Sequence, residues 1–343
     1  MIMTNELERA FQGASAEAPY DSLETFEKVL ALRLPSEDSS AINRVYRRMI
    51  PRWHFAMLND TERNRTFHEA LRAQVAPGQL VLDVGTGSGL LAMMAVRAGA
   101  RAAVSCEVLE PIAHMARRII AANDLSERVS VLSKSSFDLS VGRDLPTLAD
   151  VLVTETIDCG LLGEGILPIV HHAREHLLRP EARIIPARAR IVFALLESSA
   201  IHRNNFVFEA SGFDVSMFNH FSTREYFPVR LVTWDHTLLS IPTKAFDFDF
   251  REFPPTSRVT RVPVEVRQSG TVHGIVFWFE LDLGDGVHLS NAPSNPRSHW
   301  MQAVLCFERP LHFDRGATAV VEAAHDATSV WFNIHPPIER KSI

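Results

Sequence analysis

The stretch VLDVGTGSGLLAMMAVRAGA, residues 81–100, decides the fold. Its apolar start reads as a short buried strand, and LLAMMAVRAG reads as a helix stopped at Gly99. Between them Gly85, Gly87 and Gly89 let backbone approach a ligand where strand turns into helix. The texture repeats downstream. RAAVSCEV is a strand, and PIAHMARRIIAAN is a helix with Pro111 in its first turn and Asn123 near its end. RVSVLS and ADVLVTE are strands, and GILPIVHHAREHLL is a helix. Strand–helix alternation with short connections implies a parallel sheet covered on both faces, with right-handed crossovers.

The second strand ends at Glu107, where a carboxylate accepts hydrogen bonds from ribose hydroxyls. The glycine loop differs from a dinucleotide fingerprint. Asp83 precedes the glycines, and the third glycine follows the second by only two residues. This spelling fits S-adenosylmethionine, which has no pyrophosphate to cradle. A tight turn without a ligand would explain the glycines but not the acid.

Upstream, DSLETFEKVLALRL and SSAINRVYRRMI read as helices. FAMLNDTERNRTFHEALRAQV reads as one or two more, with Asp60 as a cap. Near Pro186 the texture changes. ARIVFALLE, RVPVEVR, TVHGIVFWFELDL, WMQAVLCFE, ATAVVEAAH and TSVWFNI are strand-like and separated by turn residues, as in an antiparallel sandwich or barrel. Residues 200–228 interrupt this pattern with an aromatic-rich insertion, a candidate contact surface or a segment packed locally. The expected division is a helical extension over 1–45, a nucleoside-binding α/β domain over 46–185 and a β domain over 186–343.

A chain of 343 residues suits two domains. Its net charge of −6 argues against nucleic acid as the main partner and suits a cationic ligand. No apolar run approaches membrane-spanning length, and the first residues lack the pattern of a secretory signal. Cys106, Cys159 and Cys306 are scattered and form no CxxC pair, so a reduced cytoplasm and no metal are expected. Only Lys28, Lys134, Lys244 and Lys341 are lysines among 35 basic residues, the codon flavour of a GC-rich, bacterial genome.

One further stretch carries chemistry. ETIDCGLLGEG, residues 155–165, sets Glu155 and Glu164 at either end of a loop containing Gly160 and Gly163. Two acids in a partly dry pocket repel unless a cation lies between them. A guanidinium fits: it is planar, cationic and presents N–H donors in a fork.

Taken together, these motifs resemble the protein arginine methyltransferase family over nearly the whole chain past residue 45. The glycine loop resembles its cofactor motif, ETIDCGLLGEG its double-glutamate loop, and SHWMQ its threonine-histidine-tryptophan loop, with Ser298 in place of the threonine. SGFDVS is similar to part of its dimerisation arm, and MLNDTER to the segment after its N-terminal helix. The resemblance implies a Rossmann-like methyltransferase domain followed by an antiparallel β-barrel with a dimerisation arm, and a homodimer. It implies that Glu155 and Glu164 hold the guanidinium while His299, paired with Asp60, relays the proton. Arg63 would meet the methionine carboxylate of S-adenosylmethionine, and Asp83, Gly85, Gly87, Gly89 and Glu107 would complete that site. The family's adenine-contacting glutamate falls near Phe137, which leaves Ser135 and Ser136 for that work. Met57 and Trp300 would line the substrate. The wording LLGEG followed by Pro168 leans toward the monomethylating branch. Free L-arginine, methylated in a bacterial natural-product pathway, is the first substrate expected; arginine in a protein or peptide is the second, and a non-catalytic binding protein the third.

Overall fold

The computed structural model of the protein describes residues 50–335. The helix read at 21–34, the 1–45 extension and, but for its last residue Ile50, the helix read at 39–50 lie outside the described residues. The described residues form two compact units: one holds residues 50–154 with Ala173–Ala182, the other Glu155–His172 with residues 183–335. The acid loop thus belongs to the second unit although it precedes Pro186 in sequence.

The first unit opens with helices α1 (Trp53–Asn59) and α2 (Thr61–Gln74). Asp60 separates them, in extended conformation, and its Oδ1 accepts the Arg63 backbone N–H at 2.9 Å. A carboxylate there satisfies a donor that the helix start leaves open. Phe67, Ala70 and Leu71 form the buried stripe of α2. Strands β1 (Leu80–Val84), β2 (Ala102–Glu107), β3 (Val129–Ser133), β4 (Ala149–Thr154) and β5 (Leu178–Ile185) make one sheet in the order β3-β2-β1-β4-β5. β1 runs parallel to both β2 and β4, so the strand order reverses at β1. All five β1 residues are buried, as in a strand covered on both faces. Helices α3 (Leu90–Arg97), α4 (Glu110–Ala122) and α5 (Ile166–His176) supply crossovers.

In the second unit, β6 (Arg188–Glu197) precedes a short helix, α6 (Ser199–Arg203). The arm carries β7 (Glu209–Ala210), β8 (Phe213–Asp214) and, at its end, β9 (Phe227–Val229). The remaining strands are β10 (Thr237–Leu238), β11 (Thr243–Asp249), β12 (Arg258–Glu265), β13 (Gly270–Gly284), β14 (Val287–Ser290), β15 (Gln302–Phe313), β16 (Thr318–His325) and β17 (Val330–His335). One sheet runs β10-β6-β13-β15-β9, with β11 also on β6 and β14 also on β13; a second runs β12-β16-β17.

The antiparallel domain is therefore present, but its ladders do not close into the expected barrel among the described residues. The two sheets meet through side chains instead: the Phe332 ring lies 5.3 Å from Phe193 and 5.0 Å from Phe277. Gly274 marks a register shift where β13 crosses β15, and a Cβ there would stand 2.3 Å from the Leu305 carbonyl oxygen. Strand β11 was not anticipated, although Phe246 and Phe248 are buried and alternate with Asp247 and Asp249 in strand period.

The arm's root is fixed. Asn219 accepts the Val207 N–H at 2.8 Å, Asn205 and Thr223 exchange two bonds, and the Arg224 guanidinium lies 5.7 Å over the buried Phe206 ring. Its tip is apolar and open: Phe213, Met217, Phe218 and Phe221 are each at least 66% exposed. Among the described residues no helix is long and apolar enough to cross a membrane.

Candidate active site

The first unit carries a nucleoside cradle. Gly85, Gly87 and Gly89 have φ of +87°, +50° and +81°, a region that L side chains avoid. At Gly89 a Cβ would stand 3.0 Å from Ile120 Cδ1, so the start of α3 lies close against α4. At Gly87 a Cβ would meet only the Met57 methyl, at 4.0 Å, so the backbone there faces open space capped by Met57. Glu107 sits beside the loop, with Oε2 accepting the Gly87 N–H at 3.2 Å and Oε1 the Leu109 N–H at 3.0 Å. Asp83 is fully buried and accepts from the Ser105 hydroxyl at 2.7 Å. Ser135 Oγ accepts the Phe137 N–H at 3.3 Å, and Ser136 is buried beside it. Arg63, 3% exposed, fixes a positive charge on α2, with Nη1 donating to Asn64 at 2.9 Å and the guanidinium 5.3 Å from the Phe67 ring centroid. Glycines with positive φ, an open approach at Gly87 and an acid at the next strand end fit S-adenosylmethionine.

The second unit carries the acid loop. Glu155 is half-buried and Glu164 exposed. Between them Asp158 gathers the turn: Oδ1 accepts the N–H groups of Gly160 at 3.2 Å and Gly163 at 2.9 Å, and Oδ2 accepts the Tyr226 hydroxyl at 2.7 Å. Burial pushes the Asp158 carboxyl up, against the pull of those three donors. Burial, followed by the Asp158 charge, pushes the Tyr226 phenol above its usual range, so the shared proton stays on tyrosine. Both glycines are required sterically. A Cβ at Gly160 would stand 2.6 Å from the Tyr226 ring, and one at Gly163 2.5 Å from Asp158 Oδ2.

SHWMQ braces the same loop. Trp300 is 6% exposed, and its indole N–H donates to the Ile157 carbonyl at 3.0 Å. Its ring meets Phe279 edge-on at 5.2 Å and lies 3.9 Å from the His299 ring. The resemblance implies that Trp300 lines the substrate; here its buried indole is tied to the loop backbone. Arg230 donates to the carbonyls of Pro296, Ser298 and His299, which holds the histidine's backbone. Asn291 donates to Cys159 O at 3.1 Å and Met301 O at 2.8 Å, so it ties the two loops together. Burial, followed by the Asp158 charge, pushes the Cys159 thiol up as well, which disfavours the thiolate.

Within the first unit the structure gathers Met57, Gly87 and Glu107 at one loop. Within the second it joins the Glu155–Glu164 loop to His299 and Trp300. Sequence reading missed Asp158, Tyr226, Asn291 and Arg230. Asp158 had a local signal, an aspartate two residues before a glycine in a turn. The others had none.

A parallel sheet with a glycine loop after β1 and an acid at the end of β2 defines a Rossmann-like methyltransferase core. Residues 66–185 match the family model for ribosomal protein L11 methyltransferase, and 187–333 match the arginine methyltransferase oligomerization subdomain. The chain is 45% identical, over 84% of its length and 81% of the relative's, to the arginine N(omega)-methyltransferase of Streptomyces achromogenes subsp. streptozoticus. It is 33% identical to protein arginine N-methyltransferase 7 of Drosophila mojavensis, spanning 46% of that longer protein. It therefore belongs to the arginine methyltransferase family. Solved structures agree in fold at 22% identity. The Trypanosoma brucei PRMT1 enzyme–prozyme complex with AdoHcy has a TM-score of 0.73, covering 84% of this chain and 94% of that one. Arabidopsis thaliana protein arginine methyltransferase 10 has a TM-score of 0.66, covering 82% and 96%.

Proposed function

We propose that this protein transfers one methyl group from S-adenosylmethionine to the guanidinium of free L-arginine, giving Nω-methyl-L-arginine. The carrying observation is the Glu155–Glu164 loop, braced by Asp158, Trp300 and Asn291. The name of the Streptomyces relative supports free arginine, and the bacterial flavour of the composition supports a natural-product pathway in a cytoplasm.

Guanidinium nitrogens are poor nucleophiles because their lone pairs are delocalised. Glu155 and Glu164 hold the cation by charge-assisted hydrogen bonds that localise positive charge away from the attacking nitrogen. S-adenosylmethionine, when bound, supplies an electrophilic methyl group. Gly85, Gly87 and Gly89 give its backbone contacts, Glu107 takes the ribose, Ser135 and Ser136 the adenine, Arg63 the carboxylate, and Asp83 shapes the loop from beneath. Met57, above Gly87, borders the reacting groups. His299, for which the family resemblance names Asp60 as partner, takes the proton that the methylated nitrogen must lose.

The test is methyl-labelled S-adenosylmethionine offered with free arginine, arginine-rich peptides and a histone-like protein, with products read by mass. One methyl on free arginine is the expected product. Transfer only to polypeptide overturns the substrate, and a second methyl overturns the monomethyl assignment.

The arm's open aromatic tip supports a homodimer formed through it. Changing Phe218→Asp and Phe221→Asp together places two charges in that contact. Light scattering should report a dimer for the wild type and a monomer for the double variant. A variant that remains dimeric removes the arm from the interface.

A further inference from the structure

We propose that Asp158 and Tyr226 are positioning residues that set the curvature of the acid loop, and so the aim of Glu155 and Glu164; this rests on the methyltransferase reading above. Neither residue is placed on substrate or cofactor. The geometry makes Asp158 the hub of the loop. Its two oxygens take three donors: the Gly160 and Gly163 amides from within the loop and the Tyr226 hydroxyl from 68 residues away. The loop's amides therefore point inward at one carboxylate, and that carboxylate is anchored to a rigid neighbour.

Tyr226 is suited to be the anchor. Its ring packs edge-on against Phe277 at 5.2 Å, in the middle of β13, and it directly precedes β9, which pairs with β15. Two residues earlier, Arg224 is bound to Glu308 at 2.7 Å and lies over Phe206 at the arm's root. The hydroxyl thus transmits the position of the sheet and arm to the loop. Packing does not do this alone. A cavity of about 510 Å³ within the second unit is bordered by Asp158, Cys159, Gly163 and Tyr226, so beyond the Tyr226 ring that side of the loop faces open space. On that side the hydrogen bonds to Asp158 hold the curve. Gly160 and Gly163 belong to the device, since any Cβ there would collide with Tyr226 or Asp158.

Tyr226→Phe removes the hydroxyl and keeps the ring. Its kcat should fall about tenfold, because small misplacement of catalytic groups is costly. S-adenosylmethionine affinity, measured by calorimetry, and the thermal midpoint should stay near wild type, which a merely structural role would not allow. Asp158→Ala should lower kcat further, and Tyr226→Phe/Asp158→Ala should lose no more than Asp158→Ala alone, the signature of a coupled pair. Asp158→Asn keeps an acceptor for the two amides and should recover part of the loss; it carries the same readouts if Asp158→Ala does not fold. With an active wild type, an unchanged kcat in Tyr226→Phe or strictly multiplicative losses overturn this proposal alone. A wild type that methylates no guanidinium overturns the functional reading, and this proposal with it.

Discussion

Glu155→Gln should lower kcat by roughly a thousandfold, about 4 kcal/mol of transition-state stabilisation, while S-adenosylmethionine binds as before. The argument starts from charge. A bound guanidinium already carries one positive charge, and methyl transfer brings a second onto the same group until a proton leaves. The ground state needs one countercharge, and the transition state makes use of two. A carboxylate exchanged for an amide of the same shape removes one countercharge and turns half of the acceptor into donors that face the substrate's own N–H groups. Most of the loss falls where the extra charge develops, so kcat suffers more than KM. Cofactor affinity is spared because the groups assigned to S-adenosylmethionine, the glycine loop, Glu107 and Arg63, are all unchanged in the variant. Single-turnover rates and calorimetry on the same preparation check both halves. A variant that keeps a tenth of wild-type turnover removes Glu155 from the chemistry.

The parts of this enzyme that could be read from its sequence are those with a local code. The β1 loop is legible because positive φ demands glycine, and Asp60 because a helix start demands an acceptor. Strands β1 to β4 of the parallel sheet are legible as short apolar runs between helices of period 3.6; β5, with Arg179, Glu181 and Arg183 in its run, is not. The double-glutamate loop is legible as spelling, through family resemblance, but not as geometry. What holds that loop comes from far away in the chain. Tyr226 reaches Asp158 across 68 residues, Asn291 reaches Cys159 across 132, and Trp300 reaches Ile157 across 143. No periodicity encodes such pairings; they follow from a finished tertiary structure. The expected closed barrel departs from the observed sheets for the same reason. Strand positions follow from alternation, but whether the last ladder closes depends on how Phe193, Phe277 and Phe332 pack between two sheets.

Asn291→Ala should destabilise the second unit by roughly 3 kcal/mol, since each buried polar group left without its partner costs about 1–3 kcal/mol. Asn291 is fully buried and its amide is used throughout. Oδ1 accepts the Phe279 N–H at 2.8 Å, and Nδ2 donates to Cys159 O at 3.1 Å and to Met301 O at 2.8 Å. Alanine would orphan one donor and two acceptors at once, and would cut the link between the acid loop and SHWMQ. Activity should therefore fall along with stability, unlike the Tyr226→Phe case, where turnover moves and folding does not. Asn291→Asp sharpens the assignment. It keeps the acceptor toward Phe279 but, when ionised, turns a carboxylate oxygen toward two carbonyl oxygens in a buried site, and should be worse than alanine at neutral pH. Acidification protonates that carboxyl, restores one donor and should narrow the gap. Urea midpoints of the three proteins at pH 7.5 and pH 5.5 measure this directly, and an Asn291→Asp variant as stable as wild type at neutral pH would mean that the side chain is not enclosed between those carbonyls.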